Sequence, residues 1–428
     1  MSTNPNPEIS RPSSNELTSL LAVLRRFPRP VWMIFLGMFI NRFGTFVLPF
    51  LALHMTKEGY STVQISISMA TYGVGHLVAT LLGGYLADSI GRRNTIVLSM
   101  FSGALSMLAM SQADSYFWFV VLGGFAGLTT ELYRPASSAL LSDLIPESDR
   151  VTAFAFYRFA INAGWAFGPA TAGFLSEYSF VWLFVGDAMT AVLYGVIALF
   201  GIPSLRRGQD RSMIVAENPI VALGKSFRMG LSDIRFVRVL IASVLIGVVF
   251  MQMMTTLGLE VKSHGHGERI YGLILGFNGV IIVLFEIPLS SMTQRYSPLL
   301  VMALGNLLIG IGAGMIAYAE TVFGYCGAMF VFTVGEMVGM PVALAYVSKL
   351  APKEMRGRYM GIYGLTWATS IVMGPSLGMM AFSMDPVLFW IGSGALGVLS
   401  AVVLLTPSWV FQRIVMASQG LAVGANKY

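Results

Sequence analysis

The chain has 428 residues, 55% of them hydrophobic and only 11% charged, where soluble proteins carry about a quarter charged residues. So little polar surface cannot cover a folded body of this size in water, which excludes a soluble enzyme or scaffold and makes lipid the expected solvent. The formal charge of +6 sits at the ends of apolar stretches, a mark of membrane topology and not of nucleic-acid binding, and the single cysteine, Cys326, excludes an internal disulfide.

Windows of about 20 apolar residues qualify as membrane-spanning helices. After an N-terminal segment, 1–30, six windows fill a first half over 31–203: 31–55, 63–86, 95–112, 117–142, 152–175 and 180–202. A basic linker, 204–235, precedes a second half over 236–406 with windows at 237–259, 270–290, 298–318, 322–348, 358–382 and 387–406. A polar tail, 407–428, follows. The first apolar stretch is too long for a cleaved signal and lacks a small-residue cleavage site, so it is expected to stay as span 1.

Span 1 carries Asn41 and Arg42 near its middle, and span 2 carries His76, read as a packing histidine. The loop after span 2 reads Gly84-Tyr85-Leu86-Ala87-Asp88-Ser89-Ile90-Gly91-Arg92-Arg93. Here Gly84 is expected to let backbones approach, Asp88 to end a helix, Gly91 to turn the chain, and Arg92 and Arg93 to anchor at anionic headgroups. In span 4, Glu131 and Arg134 are three residues apart and so share a helix face. That span ends with Asp143-Leu144-Ile145-Pro146, followed by Arg150. Span 5 contains Arg158 and then Gly164-Trp165-Ala166-Phe167-Gly168-Pro169 with Gly173, a Gly/Pro bend suited to close helix packing.

Asp187 in span 6 and Glu286 in span 8 read as helix-end partners. In the linker, Gly224-Lys225-Ser226 imitates the tail of a phosphate-binding loop. Pro219 occupies the required first glycine and no strand precedes it, so nucleotide-driven pumping has no support. Span 7 carries the run Phe250-Met251-Gln252-Met253-Met254, and flexible methionines can repack around varied apolar ligands. His264 and His266 beside Glu268 read as a solvated loop, and no metal site or cofactor is expected. Glu336 lies mid-span 10. A charge at the centre of a membrane helix costs about 2.5–3.5 kcal/mol on insertion scales, so Arg42, Glu131, Arg134 and Glu336 are the candidates for a substrate or proton pathway. The bland alternative is an ion-pair network that only fixes packing.

The two halves repeat. At an offset of 206, nine of the 35 positions from Pro135 to Pro169 recur in Pro341 to Pro375, among them Pro135/Pro341, Arg150/Arg356 and Gly168-Pro169/Gly374-Pro375. Chance gives roughly two or three in so biased a composition. Parallel repeats of this kind build transporters with the site at the repeat interface. With the termini in the cytosol, cytosolic segments hold 21 of the 27 Lys and Arg. Outer loops then hold only Lys57, Lys262 and Arg269, which orients the chain with both termini inside.

The loop after span 2 resembles the G-x-L-a-D-r-x-G-r-r signature of the major facilitator superfamily, and the resemblance extends over 31–406. It implies an all-α membrane fold of twelve helices in two pseudo-symmetric six-helix bundles, with spans 1, 4, 7 and 10 around a central cavity. It also implies a cytosolic gate of Gly84, Asp88, Gly91, Arg92, Arg93, Asp143 and Arg150, with Arg92 against Asp143 and Asp88 against the segment near Gly357. Gly164, Gly168, Pro169 and Gly173 resemble the antiporter motif of drug-efflux branches, with Ala172 in place of one glycine. Those branches usually carry an arginine twelve residues before the proline matching Pro135, where this chain has Gly123.

The function implied is alternating-access, proton-coupled export of small apolar or amphipathic compounds by a monomer in a bacterial inner membrane. Glu131 or Glu336 would carry the proton, and Arg42 and Arg134 would tune those acids or hold an anionic group. The partners implied are a small-molecule substrate, protons and the lipid bilayer. An importer or facilitator of a polar or anionic metabolite would use the same cavity. A membrane enzyme or receptor is disfavoured, because no paired metal ligands or nucleophile–base set lies at membrane depth.

Overall fold

The computed structural model describes residues 23–146, 149–204, 232–293, 295–351 and 356–407. The linker motif at Gly224-Lys225-Ser226 and the C-terminal tail lie outside the described residues, as do the side chains around Gly357. Fifteen α-helices are described. In the first half they are α1 (Arg29–Phe43), α2 (Val47–Lys57), α3 (Thr62–Ser89), α4 (Arg92–Met110), α5 (Tyr116–Thr129), α6 (Tyr133–Leu144), α7 (Arg150–Tyr178) and α8 (Val181–Gly201). In the second half they are α9 (Ile234–Met254), α10 (Thr256–Ser263), α11 (Glu268–Thr293), α12 (Pro298–Met315), α13 (Val322–Leu350), α14 (Arg356–Met384) and α15 (Pro386–Leu405). Among the described residues, nine helical stretches are long and apolar enough to cross a membrane.

Helix occupies every predicted span, but spans 1, 4 and 7 each come as two helices, contrary to the continuous helices expected. At the break in span 4, Pro135 has no N–H to give to the Glu131 carbonyl four residues back, and its ring crowds that carbonyl, although its repeat counterpart Pro341 lies inside the unbroken α13. The Arg134 N–H takes the Glu131 carbonyl instead, at 3.2 Å. Upstream, Thr129 and Thr130 return their hydroxyls to Phe125 and Ala126 carbonyls, which favours ending α5 there. Span 1 unwinds at Gly44–Phe46. The new helix α2 has no side-chain cap of its own, and Asp187 Oδ2 on α8 accepts from the Val47 N–H at 3.5 Å. In span 7 the break is at Thr255, with Gln252 at its rim. Arg42 and Glu131, expected in mid-helix, therefore sit at helix interruptions.

Packing within each half follows the repeat. Helix α7 lies on α1 in the first half and α14 on α9 in the second. A Cβ added at Gly168 would stand 2.5 Å from the Phe43 carbonyl oxygen, and one added at Gly374 would stand 2.6 Å from Met251 Cβ. The halves meet through α7 with α11 and α3 with α14. The tightest approach runs along α11. A Cβ at Gly272 would be 2.3 Å from the Pro169 carbonyl oxygen, and one at Gly279 would be 2.3 Å from Ala166 Cα. These approaches lie in the half of the molecule remote from the α3–α4 loop. In that same half Arg269 covers the Phe174 ring at 4.1 Å, and Tyr271 donates to the Pro49 and Met253 carbonyls.

Candidate functional site

Between the halves lies a cavity of about 430 Å3. Its walls come from spans 1, 2, 4, 5, 7, 8, 10 and 11, and most of the lining is apolar: Met69, Trp165, Phe250, Met251, Met254, Met340 and Trp367 among others. Four arginine and glutamate side chains enter it, Arg42, Glu131 and Arg134 from the first half and Glu336 from the second, together with His76, Asn162 and Asn278. Pockets for organic ligands have this composition, apolar walls with a few polar groups that fix orientation.

The first-half wall is a cluster built by the helix breaks. Arg42, in the last turn of α1, holds Glu131 with both terminal nitrogens, at 3.4 and 3.5 Å, and donates to the Tyr133 hydroxyl at 2.6 Å. Arg134 Nε shares the Oε2 oxygen of that carboxylate, at 3.2 Å. The α7 motif fixes this geometry, because a Cβ at Gly164 would lie 2.7 Å from Arg42 Cβ. The four motif residues divide between two jobs. Gly164 and Gly168 seat α7 on α1, whereas Pro169 and Gly173 face α11 of the other half.

The second-half wall differs. Glu336 Oε2 accepts from Asn278 Nδ2 at 3.0 Å, and the same amide donates to Thr333 Oγ1 at 2.9 Å. No cation stands within ion-pair distance of Glu336 among the described residues. Below it, Glu286 joins the halves by pairing with Arg158 and accepting from Asn162 Nδ2 at 2.8 Å. Glu286 is thus no helix-end partner but the second-half end of an inter-bundle bridge. Asp187 likewise serves another helix, α2, and not its own end.

The loop between α3 and α4 also departs from expectation at two residues. A Cβ at Gly84 would meet nothing within 4 Å; the close approach is at Gly83, 2.6 Å from the Leu132 carbonyl oxygen at the span 4 break. Arg92 pairs with Asp143, as the resemblance implied and in place of the headgroup contact expected from the loop alone, and donates to the Ala139 carbonyl at 2.9 Å, both near the end of α6. Gly91 has φ +93°, which a side chain disfavours. Arg93 donates to Asn94 Oδ1, and Arg150 is the exposed first residue of α7. His264 is not simply solvated; its Nδ1 lies 3.0 Å from the Tyr325 hydroxyl and 3.4 Å from Glu260. The described residues hold no His/Cys/Asp/Glu group fit for a metal.

Two features escaped the sequence reading. The Gly272/Gly276/Gly279 stripe was available as a small-residue spacing on span 8. The Arg158–Glu286 pair joins residues 128 apart and left no local signal.

The family model described as Major Facilitator Superfamily matches residues 34–375 and 260–415. A Na(+), Li(+), K(+)/H(+) antiporter of Planococcus maritimus is 26% identical, over 80% of this chain and 87% of that one. The multidrug resistance protein MdtH of Aeromonas hydrophila is 24% identical, over 87% and 94%. Among solved structures, a D-xylose-proton symporter superposes with a TM-score of 0.71 at 18% identity, covering 88% of this chain and 96% of that one.

Proposed function

The chain belongs to the major facilitator superfamily, a family of membrane transporters and not of enzymes, and from that premise we propose that it exports small apolar or amphipathic compounds in exchange for protons. The observation that carries this reading is the cavity lining. Apolar side chains make most of the wall, four methionines and four aromatic residues among them, and such surfaces adapt to varied apolar ligands. Arg134, with half its side chain exposed, offers one cationic contact for the polar end of an amphipathic substrate. The multidrug relative and the cation/proton antiporter relative support the same reading.

Glu336 carries the proton on this reading. Glu131 is already neutralised by Arg42 and Arg134, so its protonation would break two ion pairs. Glu336 has only a neutral amide beside it, and a proton there cancels a charge that nothing else in reach cancels. With the basic loops in the cytosol and the termini inside, the α7–α11 glycine contacts close the outer half. The proposed state is inward-facing, in a bacterial inner membrane. Asp88 and the Arg92–Asp143 pair, with Gly91 and Arg150 nearby, belong to the proposed cytosolic gate.

The test is gradient-driven transport of a fluorescent amphipathic cation in sealed vesicles. Glu336→Gln should abolish accumulation driven by the pH gradient while binding of the dye to purified protein persists. Undiminished proton-driven flux in Glu336→Gln would remove Glu336 from the mechanism. Flux that ignores the pH gradient in the wild-type chain would remove proton exchange altogether.

A further inference from the structure

Behind the Arg42–Glu131 pair, inside the first half, lies a second void of about 30 Å3. It shares Arg42, Leu48, Tyr72 and Glu131 with the central cavity, and its far wall is made by α4 and α8. By the same measure a water needs about 10–15 Å3, so this space takes one small ion with one water.

Its walls offer acceptors. Thr45 Oγ1 donates to the Asn41 carbonyl at 3.1 Å, Thr130 Oγ1 to the Ala126 carbonyl at 2.7 Å, and Ser99 Oγ to the Thr129 carbonyl at 2.5 Å. Each hydroxyl has spent its proton on backbone; Thr130 also accepts from the Tyr72 hydroxyl and Ser99 from the Tyr133 N–H, so one lone pair on each of these two and both on Thr45 remain for an occupant. Asp187 is 8% exposed and, among the described residues, has no ion-pair partner within 4 Å; its Oδ2 meets only the start of α2. Glu131 is matched by Arg42 and, from beyond the wall, by Arg134, so Asp187 is the one carboxylate of the lining with no cation within ion-pair distance among the described residues. Arg42, 5% exposed, keeps an Nε–H with no partner. The void also adjoins the unwound turn of span 1, and interrupted membrane helices bind ions at such turns.

We propose that this void binds one monovalent alkali cation, held by the Asp187 carboxylate and the hydroxyl oxygens of Thr45 and Thr130. A water accepts from Arg42 Nε–H and gives its other lone pair to the ion, which satisfies the one orphaned donor on the wall. Anions are excluded by the acceptor-rich lining. Divalent cations are excluded by the single carboxylate available to hold them and by the six to eight oxygens that calcium demands. The site is separate from the central cavity and does not depend on what that cavity carries.

The test is binding by the purified full-length protein in detergent, at one pH and one ionic strength, with no substrate and no gradient. Replacing choline chloride by sodium chloride should raise the melting temperature saturably, and radioactive sodium should bind at about one ion per chain. Asp187→Asn should abolish both effects, whereas Glu336→Gln in the central cavity should keep them. Because Asp187 also caps α2, Thr45→Val is the second variant: it leaves the carboxylate in place and should weaken sodium binding several-fold. A void that takes only water or a proton gives equal melting in sodium and choline, and that result overturns the site. Full sodium dependence in Asp187→Asn overturns it equally.

Discussion

Replacing Glu131 by Gln separates a structural ion pair from a transport acid. Arg42 is 6% exposed at its side chain and Glu131 11%, while Arg134 is 51% exposed. Breaking a buried pair by removing one partner costs about 3–5 kcal/mol, because the other charge stays behind uncompensated. Gln keeps a carbonyl oxygen that still accepts from Arg42, which offsets about 1 kcal/mol. The expected loss is therefore about 2–4 kcal/mol. Arg134→Gln removes a half-exposed partner and should cost at most about 1 kcal/mol. Chemical unfolding of purified variants in mixed micelles measures both. A double variant, Glu131→Gln with Arg42→Gln, removes the stranded charge as well and should be less destabilised than the sum of the singles. Equal losses for Glu131→Gln and Arg134→Gln, or strict additivity in the double variant, would refute the buried-pair reasoning.

Other outcomes follow from the same geometry. Gly272→Val forces a side chain against the Pro169 carbonyl, so it should push α11 from α7 and increase labelling of the cavity from the outer side; unchanged labelling would show that this contact does not seal that half. Cysteine at Ser297 should be shielded from an impermeant thiol reagent in intact cells and cysteine at Ser263 labelled, once Cys326 is replaced; the reverse pattern overturns the orientation. Arg158→Gln removes one end of the bridge to Glu286 and should leave Asn162 holding it, so spin labels near the start of α7 and the end of α11 should report a wider spread of distances. An unchanged distribution would reduce the bridge to packing.

Much of this fold was legible because lipid enforces simple rules. Apolar windows of membrane length placed every helix within a few residues, since backbone groups in hydrocarbon must pair within their own helix. The glycines of span 5 were legible as a packing motif, although not their division between Arg42 on one side and α11 on the other. The interruptions were harder to read. Pro135 leaves the Glu131 carbonyl to the Arg134 N–H, but it did not distinguish broken span 4 from span 10, whose equivalent Pro341 lies in a continuous helix. Nothing near Gly44 announced that span 1 would unwind, for its second helix is capped by Asp187, 140 residues away. The same holds for Glu286, whose local sequence resembles a helix end and whose partner lies on another bundle. Charge at membrane depth marked where to look, and the pairing among those charges belonged to tertiary structure.

The distribution of charge around the cavity connects the proposed proton to the proposed motion. The first-half wall presents Arg42 and Arg134 with one acid, Glu131, the second-half wall presents Glu336, and outside the lining Arg158 of the first half pairs with Glu286 of the second. Opposite walls of opposite sign attract across an apolar gap, and that attraction is strongest when water is excluded. Neutralising Glu336 with a proton lowers the negative charge on the second wall and weakens the pull between the bundles. Glycine-stripe contacts in the remote half carry no charge and are unaffected, so the proton acts on one closure and not on the other. On the proposed reading, protonation at Glu336 biases which half stays shut, and a basic or amphipathic substrate that covers the same carboxylate competes with it. One occupant excluding the other is the requirement for exchange, and a single acid without a fixed counter-ion meets it where a doubly paired one such as Glu131 does not.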